Sequence, residues 1–510
     1  MISVCNQFFL SAERCPNAIA VHHRGRDWTY GDLARHARCA AEQMRENHIE
    51  PGSRVAILLD NSYEYIVAYF AIQLCGGTVV ALNPATTGRE LRQTLLHCHP
   101  TGIILGKKSH AAVVEVIPEL TGIQFSVSVD DFDTSSYPGH VTFDDWIDSC
   151  DPPDFSYPNL EQVAQIIYTS GTTGNPKGVV LSHQNLAANT SSIVEYLELS
   201  DSDSVLVVLP FFYSYGNSLL LTHLAIGARL VLASDFVFWN RAVDLMDNQA
   251  VTGLSGVPST FSLLLNRSKF PSKKFPSLRY LTCAGGALPD VAQRRLLSCL
   301  PEVLLYLMYG QTEATARLSA LLPGDLESKR GSVGKGIPGV KLTVRDATTL
   351  EPAAPHVIGE VFAEGENIMQ GYWNNAKDSG LVLTPVGLKT GDLAHVDEDG
   401  FIFIAGRRSD MIKSGSYRIN PLEIEEVALE IEGVVEVAVV GRPDEVLGQK
   451  IVACVVATDC NDNARLSESI LMHSQNVLPP HKRIRSVEIL SELPKTSSGK
   501  IKRGDLILDQ

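Results

Sequence analysis

Basic residues run short in this chain. Its 43 lysines and arginines face 58 aspartates and glutamates, a net charge of −15. A surface this acidic argues against binding a phosphate backbone as the main task, so no nucleic-acid partner is expected. It leaves room for a small phosphorylated ligand, because a local cluster of glycines, hydroxyls and a lysine can outweigh the global field. Zinc spacing is also absent. The 10 cysteines stand singly, with no CxxC pair and no Cys/His cluster, which excludes a zinc finger and fits reduced thiols in a cytoplasmic protein. No long apolar run is unbroken. The stretch from Tyr65 to Leu82 contains Gln73, Gly76, Gly77 and Thr78. It reads as a buried helix entering a buried strand, not a membrane span. The N-terminus, MISVCNQFFLSAERC, lacks the basic and apolar regions of a signal peptide.

What remains is an ordinary globular balance, 45% hydrophobic and 20% charged over 510 residues, enough for more than one domain. The first part alternates strand and helix patterns. Helices are expected at Trp28 to Met44, Asn61 to Leu74 and Thr87 to Cys98. Strands are expected at Arg54 to Leu59, Thr78 to Leu82, Val205 to Leu209, Ala228 to Leu232 and Leu278 to Cys283. This rhythm predicts an α/β protein with layered parallel sheets covered by helices. Asp130 to Pro158, rich in Asp, Ser and Pro, reads as an irregular connection. Near residue 340 the pattern becomes short alternating strands, Gly339 to Val344, Gly359 to Ala363 and Gly400 to Ala405, a small antiparallel subdomain. Past Arg407 comes a small α+β unit: a helix at Pro421 to Ile431, strands at Val434 to Val440 and Lys450 to Ala457, a helix at Leu466 to Val477, and a basic tail. The expected division is a large domain over 1–405, a hinge over 406–409 and a small mobile domain over 410–510.

The densest chemistry lies in Tyr168-Thr-Ser-Gly-Thr-Thr-Gly-Asn-Pro-Lys-Gly178, which follows the apolar strand pattern Val163 to Ile167. Gly171, Gly174 and Gly178 permit turns that other residues would strain. Thr169, Ser170, Thr172 and Thr173 supply hydroxyls, and Lys177 a cation. Backbone N–H groups, hydroxyls and one lysine on a glycine loop suit a polyphosphate. The spacing is not that of a Walker A loop. A second glycine match, Gly334-Lys-Gly336-Ile-Pro-Gly339, precedes a strand and contains Pro338, so a dinucleotide-binding reading fails.

Together with further motifs in order along the chain, this loop resembles the AMP-forming, or ANL, adenylating enzymes. Ala284-Gly-Gly-Ala287 resembles their adenine-side loop, Tyr309-Gly-Gln-Thr-Glu-Ala314 their second signature, and Thr390-Gly-Asp-Leu393 their ribose motif. Gly406 to Lys413 resembles the hinge, and Pro494 to Arg503 the C-terminal lysine motif. The resemblance implies ATP at Thr169, Ser170, Gly171, Thr172, Thr173 and Gly174, with Gly285, Gly286, Ala287, Tyr309 and Gly310 around adenine. It implies Asp392 on the ribose and Arg407 on ribose or phosphate. Thr312 would meet the α-phosphate, Glu313 would hold Mg²⁺, and Lys177 and Lys500 would serve as catalytic cations. Lys500 would bridge carboxylate and α-phosphate, while Lys495 and Lys502 face solvent. Ser409 stands at the hinge position, where the family has Asp or Lys. Ser416 stands where the family has a glycine beside the pantetheine path.

The implied activity is ATP-dependent conversion of a carboxylic acid into an acyl-adenylate, then transfer to a thiol, CoA or carrier-protein phosphopantetheine. Two other readings stay open: amide formation with an amino acid, as in coronafacate ligases, and a non-catalytic nucleotide binder. The acyl pocket is expected around Tyr213, Asn217, Ser255, Gly256, Val257, Leu307 and Met308. No aspartate stands in Pro210-Phe-Phe-Tyr-Ser-Tyr-Gly216 to pair a substrate ammonium. The pocket therefore disfavours an α-amino acid and suits an aliphatic, alicyclic or aryl acid.

Overall fold

The computed structural model describes residues 1–148, 154–169, 176–233, 239–407, 410–414, 417–444, 447–458, 462–496 and 501–508. Two large sheets form its body. One has the order Gly371–Tyr372, Lys177–Ser182, Val163–Thr169, Thr78–Ala81, Arg54–Leu58, Gly102–Leu105, Phe125–Ser128 and His140–Thr142. The other runs Lys335–Gly336, Ser319–Leu321, Leu304–Tyr309, Tyr280–Cys283, Gly253–Gly256, Ser204–Val207, Arg229–Leu232, Ile19–His23 and Arg26–Thr29. Interior pairs such as Gly253–Gly256 with Tyr280–Cys283 are parallel, as the alternating pattern predicts.

Strand alternation explains the layering. Val55 and Ile57 enter a central core shared with Val205 and Val207 of the other sheet, whereas Ala56 and Leu58 enter an outer core. Between the sheets lie the helices Tyr30–Glu46, Tyr63–Leu74 and Ser214–Ile226. The first starts where the sequence marks it: Thr29 and Asp32 form a reciprocal capping box. Tyr63–Leu74 is buried on every side, which fits its unbroken apolar pattern.

Three expectations are corrected. Asp130 to Pro158 is not wholly irregular: it holds the strand His140–Thr142 and the helix Phe143–Asp148. Phe143, Trp146 and Ile147 bury one face of that helix, a three- and four-residue spacing hidden among aspartates. The C-terminal unit has a third strand, Ser486–Leu490, parallel to Gly448–Ala457, and a last helix, Arg503–Leu508. The basic tail is partly paired as well. Lys495 does not face solvent but meets Glu436 at 2.7 Å, and Arg503 meets the buried Glu425 at 2.6 Å. Antiparallel strands Lys341–Arg345, Gly359–Glu364, Leu383–Thr384, Gly387–Val396 and Ile402–Arg407 form the expected subdomain. Among the described residues no helix is long and apolar enough to cross a membrane.

The core carries a pH dependence. Burial lowers His183 and His223 to about 4 from an ordinary 6.5. Their stabilising effect is whole above 6.5, where both states are neutral. It is lost as pH falls from 6.5 toward 4, because only the unfolded chain takes up the protons. The urea midpoint of the protein is therefore expected to fall between pH 7 and pH 5. A midpoint constant over that range contradicts this.

Candidate active site

Two antiparallel strands flank the phosphate-loop candidate. Thr169 pairs with Lys177 and Tyr168 with Gly178 across Val163–Thr169 and Lys177–Ser182. Ser170, Gly171, Thr172, Thr173 and Gly174 lie outside the described residues. The base of the loop is fixed from several sides. The Tyr168 hydroxyl lies 2.8 Å from His97 Nδ1, and the Gly178 carbonyl accepts from the Trp373 amide. A Cβ at Gly178 would stand 2.8 Å from Ile166 Cγ2, so the close approach requires glycine.

The short strand Gly371–Tyr372 pairs with the outer edge of this strand pair. It sets Tyr372 between two charged groups. The Tyr372 hydroxyl donates to Glu313 Oε1 at 2.9 Å, and the Lys177 ammonium lies 5.1 Å from the ring centroid. Burial and the charge of Glu313 together raise the Tyr372 phenol, which keeps it a donor. Lys177 also meets Asp378 at 2.7 Å, and that hydrogen bond holds the Asp378 carboxyl below its usual range.

From Glu313 the chain leads back to Tyr309. Gly310 links the strand to the turn, and a Cβ there would stand 2.0 Å from the Ala316 carbonyl oxygen. Thr315 ends the turn at φ +66, held by its hydroxyl on the Asn367 carbonyl at 2.7 Å. A β-branched residue in that region is strained, and such strain gathers at functional sites. The Tyr309 hydroxyl donates to Asp392 at 2.7 Å, and Arg407 Nε donates to the other carboxylate oxygen at 3.0 Å. Burial, reinforced by Asp392, raises the Tyr309 phenol well above its usual range. Thr312 lies beside Ser214, 3.3 Å between hydroxyls. Gly285, Gly286 and Ala287 form an exposed loop just past Tyr280–Cys283, beside the end of Leu304–Tyr309. These groups gather past the carboxyl ends of parallel strands, where open α/β sheets bind ligands.

The structure thus brings Lys177, Glu313, Tyr309, Asp392 and Arg407 into one connected set. Thr169 lies at its edge. Ser409, Ser416 and Lys500 lie outside the described residues. The pocket-wall expectations divide. Val257 packs with Leu209, Leu219 and Tyr215, and Met308 lies in a cluster with Tyr215 and Ala284. Tyr213 is half-buried with its ring 4.7 Å from that of Phe212, and Gly256 is held against Thr260 and Phe261. Leu307 is corrected: strand alternation turns it into a separate core on its own sheet, with Leu254, Leu281 and Leu305. Asn217 is corrected too, since its amide donates to the buried Gln165 at 2.8 Å. The sequence did not single out Tyr372 or Asp378, which the structure sets on Glu313 and Lys177.

The fold and the site define a nucleotide-dependent α/β enzyme with a small C-terminal unit. The AMP-binding enzyme family matches residues 8–373, and the AMP-binding enzyme C-terminal domain matches residues 423–500. A feruloyl-CoA synthase of an Amycolatopsis species is 32% identical, covering 97% of this chain and 96% of that protein. An indoleacetate–CoA ligase of Aromatoleum aromaticum is 30% identical, covering 96% and 95%. The crystal structure of the anthranilate CoA ligase AuaEII in complex with anthranoyl-AMP superposes with a TM-score of 0.91 at 25% identity, covering 99% and 96%. The chain belongs to the AMP-binding enzyme family, the ANL adenylating enzymes. Its reaction is ATP-dependent activation of a carboxylic acid as an acyl-adenylate, with pyrophosphate release, followed by acyl transfer to a thiol.

Proposed function

We propose that this protein is an acid–CoA ligase whose two half-reactions share the cleft between Lys177, Glu313 and Asp392. The carrying observation is the continuity of that site. Lys177, Tyr372 and Glu313 adjoin one another, and Tyr309, which precedes the turn carrying Glu313, bonds to Asp392, which bonds to Arg407. ATP would lie with its ribose on Asp392 and Arg407 and its phosphates toward Lys177. Lys177 exchanges Asp378 for phosphate oxygens as the nucleotide binds. Glu313 has one oxygen on Tyr372, and a single carboxylate suits Mg²⁺, which is held largely by substrate phosphates and water. Mg²⁺ bound there would neutralise charge on the phosphates.

In the first step the substrate carboxylate oxygen attacks the α-phosphorus. The bond to the β-phosphate oxygen breaks and pyrophosphate leaves. Lys500 brings a cation to both anions, and Thr312 holds the α-phosphate. In the second, the CoA sulfur attacks the acyl carbonyl carbon and AMP leaves. The large domain spans 1–405, and the unit 410–510 turns about 406–409. Gly406, at φ +123 at the end of Ile402–Arg407, supplies backbone freedom there. The enzyme works in the cytoplasm, in keeping with free cysteines that are mostly buried among the described residues.

Product analysis tests the acceptor. Purified enzyme is given ATP, Mg²⁺ and a panel of carboxylic acids, with CoA, holo carrier protein or free amino acids in parallel. The expected result is acid-dependent pyrophosphate release and a CoA thioester by mass spectrometry. An amide with an amino acid, and no thioester, would overturn CoA as the acceptor.

A further inference from the structure

Arg317 is 2% exposed, and no described carboxylate lies within ion-pair distance of it. Its partners among the described residues are all neutral. Nε donates to Met308 Sδ at 3.2 Å, and the guanidinium lies 3.9 Å from the centroid of the Tyr215 ring. The Tyr196 hydroxyl, 2.9 Å from the same sulfur, also lies beside it. A thioether, a ring face and a phenol leave a buried cation without a counter-charge. That is costly unless an anion arrives from elsewhere.

The position of Arg317 says where such an anion would come from. Ser214 touches Thr312, the residue next to the reacting phosphorus in the proposed reaction. The next residue, Tyr215, carries Arg317 on its ring. Met308 and Val257, the pocket-wall side chains, adjoin that same tyrosine. The far side of Tyr215 is occupied in a different way: its hydroxyl bonds to Thr282, which donates to Ser255 at 2.7 Å. A wall thus runs from the reaction centre to Arg317. The arginine is held in place as well. Its carbonyl accepts from both Asn189 and Asn367, and Leu318 N donates to the Tyr309 carbonyl. The guanidinium is therefore presented on a fixed backbone.

We propose that the acyl pocket recognises an acid with a second carboxylate, remote from the one that is activated, and that Arg317 binds this distal carboxylate. The inference rests on the adenylation reading of the cleft and names its substrate class. It adds a second carboxylate to the expected aliphatic, alicyclic or aryl acid. A planar guanidinium suits a carboxylate, and the bond is charge-assisted inside a low-dielectric pocket.

The test uses matched acids that differ only at the remote end: adipate against hexanoate, and terephthalate against 4-methylbenzoate. Pyrophosphate release gives kcat/KM for each. The wild type is expected to favour the diacid in at least one pair by roughly 10- to 100-fold, the worth of one charge-assisted hydrogen bond. Arg317→Met is expected to reverse that preference while the monoacid is still turned over. Arg317→Lys, which keeps the charge, is expected to retain part of it. A wild type that prefers the monoacid in both pairs overturns the distal-carboxylate proposal and leaves adenylation standing. So does an Arg317→Lys variant that loses diacid and monoacid activity in equal proportion. A wild type inert with every acid overturns both readings.

Discussion

Replacing Asp392 by Asn is expected to lower kcat/KM for ATP by roughly 10²-fold, with most of the loss in KM. The side chain keeps its shape but gives up its charge and one of its two acceptor oxygens. Both oxygens are engaged in the structure, one by the Tyr309 hydroxyl at 2.7 Å and one by Arg407 at 3.0 Å. A nucleotide ribose would add donors to the same two oxygens. An asparagine cannot serve Arg407, Tyr309 and the ribose together, because its nitrogen only donates. Asp392 is buried, so the loss is not made good by water. Steady-state kinetics over ATP concentration checks this, with thermal unfolding alongside to show that the variant is folded. A change in KM of less than threefold contradicts the assignment.

The second large effect concerns Lys500. Lys500→Ala is expected to slow adenylation by roughly 10²- to 10³-fold, comparable to removing a preorganised donor from a developing charge. Two anions meet in that step, and in the proposed mechanism the Lys500 ammonium neutralises them. On the same proposal the thiol-transfer step is spared, because the lysine serves only the first half-reaction. Supplying preformed acyl-adenylate with CoA separates the two: the variant should form thioester at close to the wild-type rate. A variant slowed equally in both steps would show that Lys500 supports the structure of the small domain and not the first reaction.

Much of the fold could be read from local patterns. The strands Arg54–Leu58, Thr78–Ala81 and Tyr280–Cys283 lie within the stretches the apolar runs mark out, because buried parallel strands are apolar on both faces. The glycine and threonine loop, the Tyr309 turn and Asp392 carry their chemistry in their residue types. What escaped was decided by distance along the chain. Nothing near Lys177 announces Asp378, which the helix Ala376–Val382, just past the edge strand 371–372, presents to it. Nor does the sequence around Asn217 reveal Gln165, which takes its amide into the interior. Leu307 and Met308 are neighbours of similar polarity. Only the pairing of their strand says which one joins Leu305 in one core and which one joins Tyr215 and Ala284 on the other face. The helix Phe143–Asp148 is too short and too acidic for its apolar face to stand out.

The most direct measurement of the central claim is exchange of labelled pyrophosphate into ATP with CoA left out. Only the first half-reaction can produce that exchange. The account predicts exchange that requires both Mg²⁺ and a carboxylic acid, and that slows by roughly 10²- to 10³-fold when Lys500 is replaced by alanine. Exchange that proceeds without any acid, or no exchange with any acid in the panel, would contradict it.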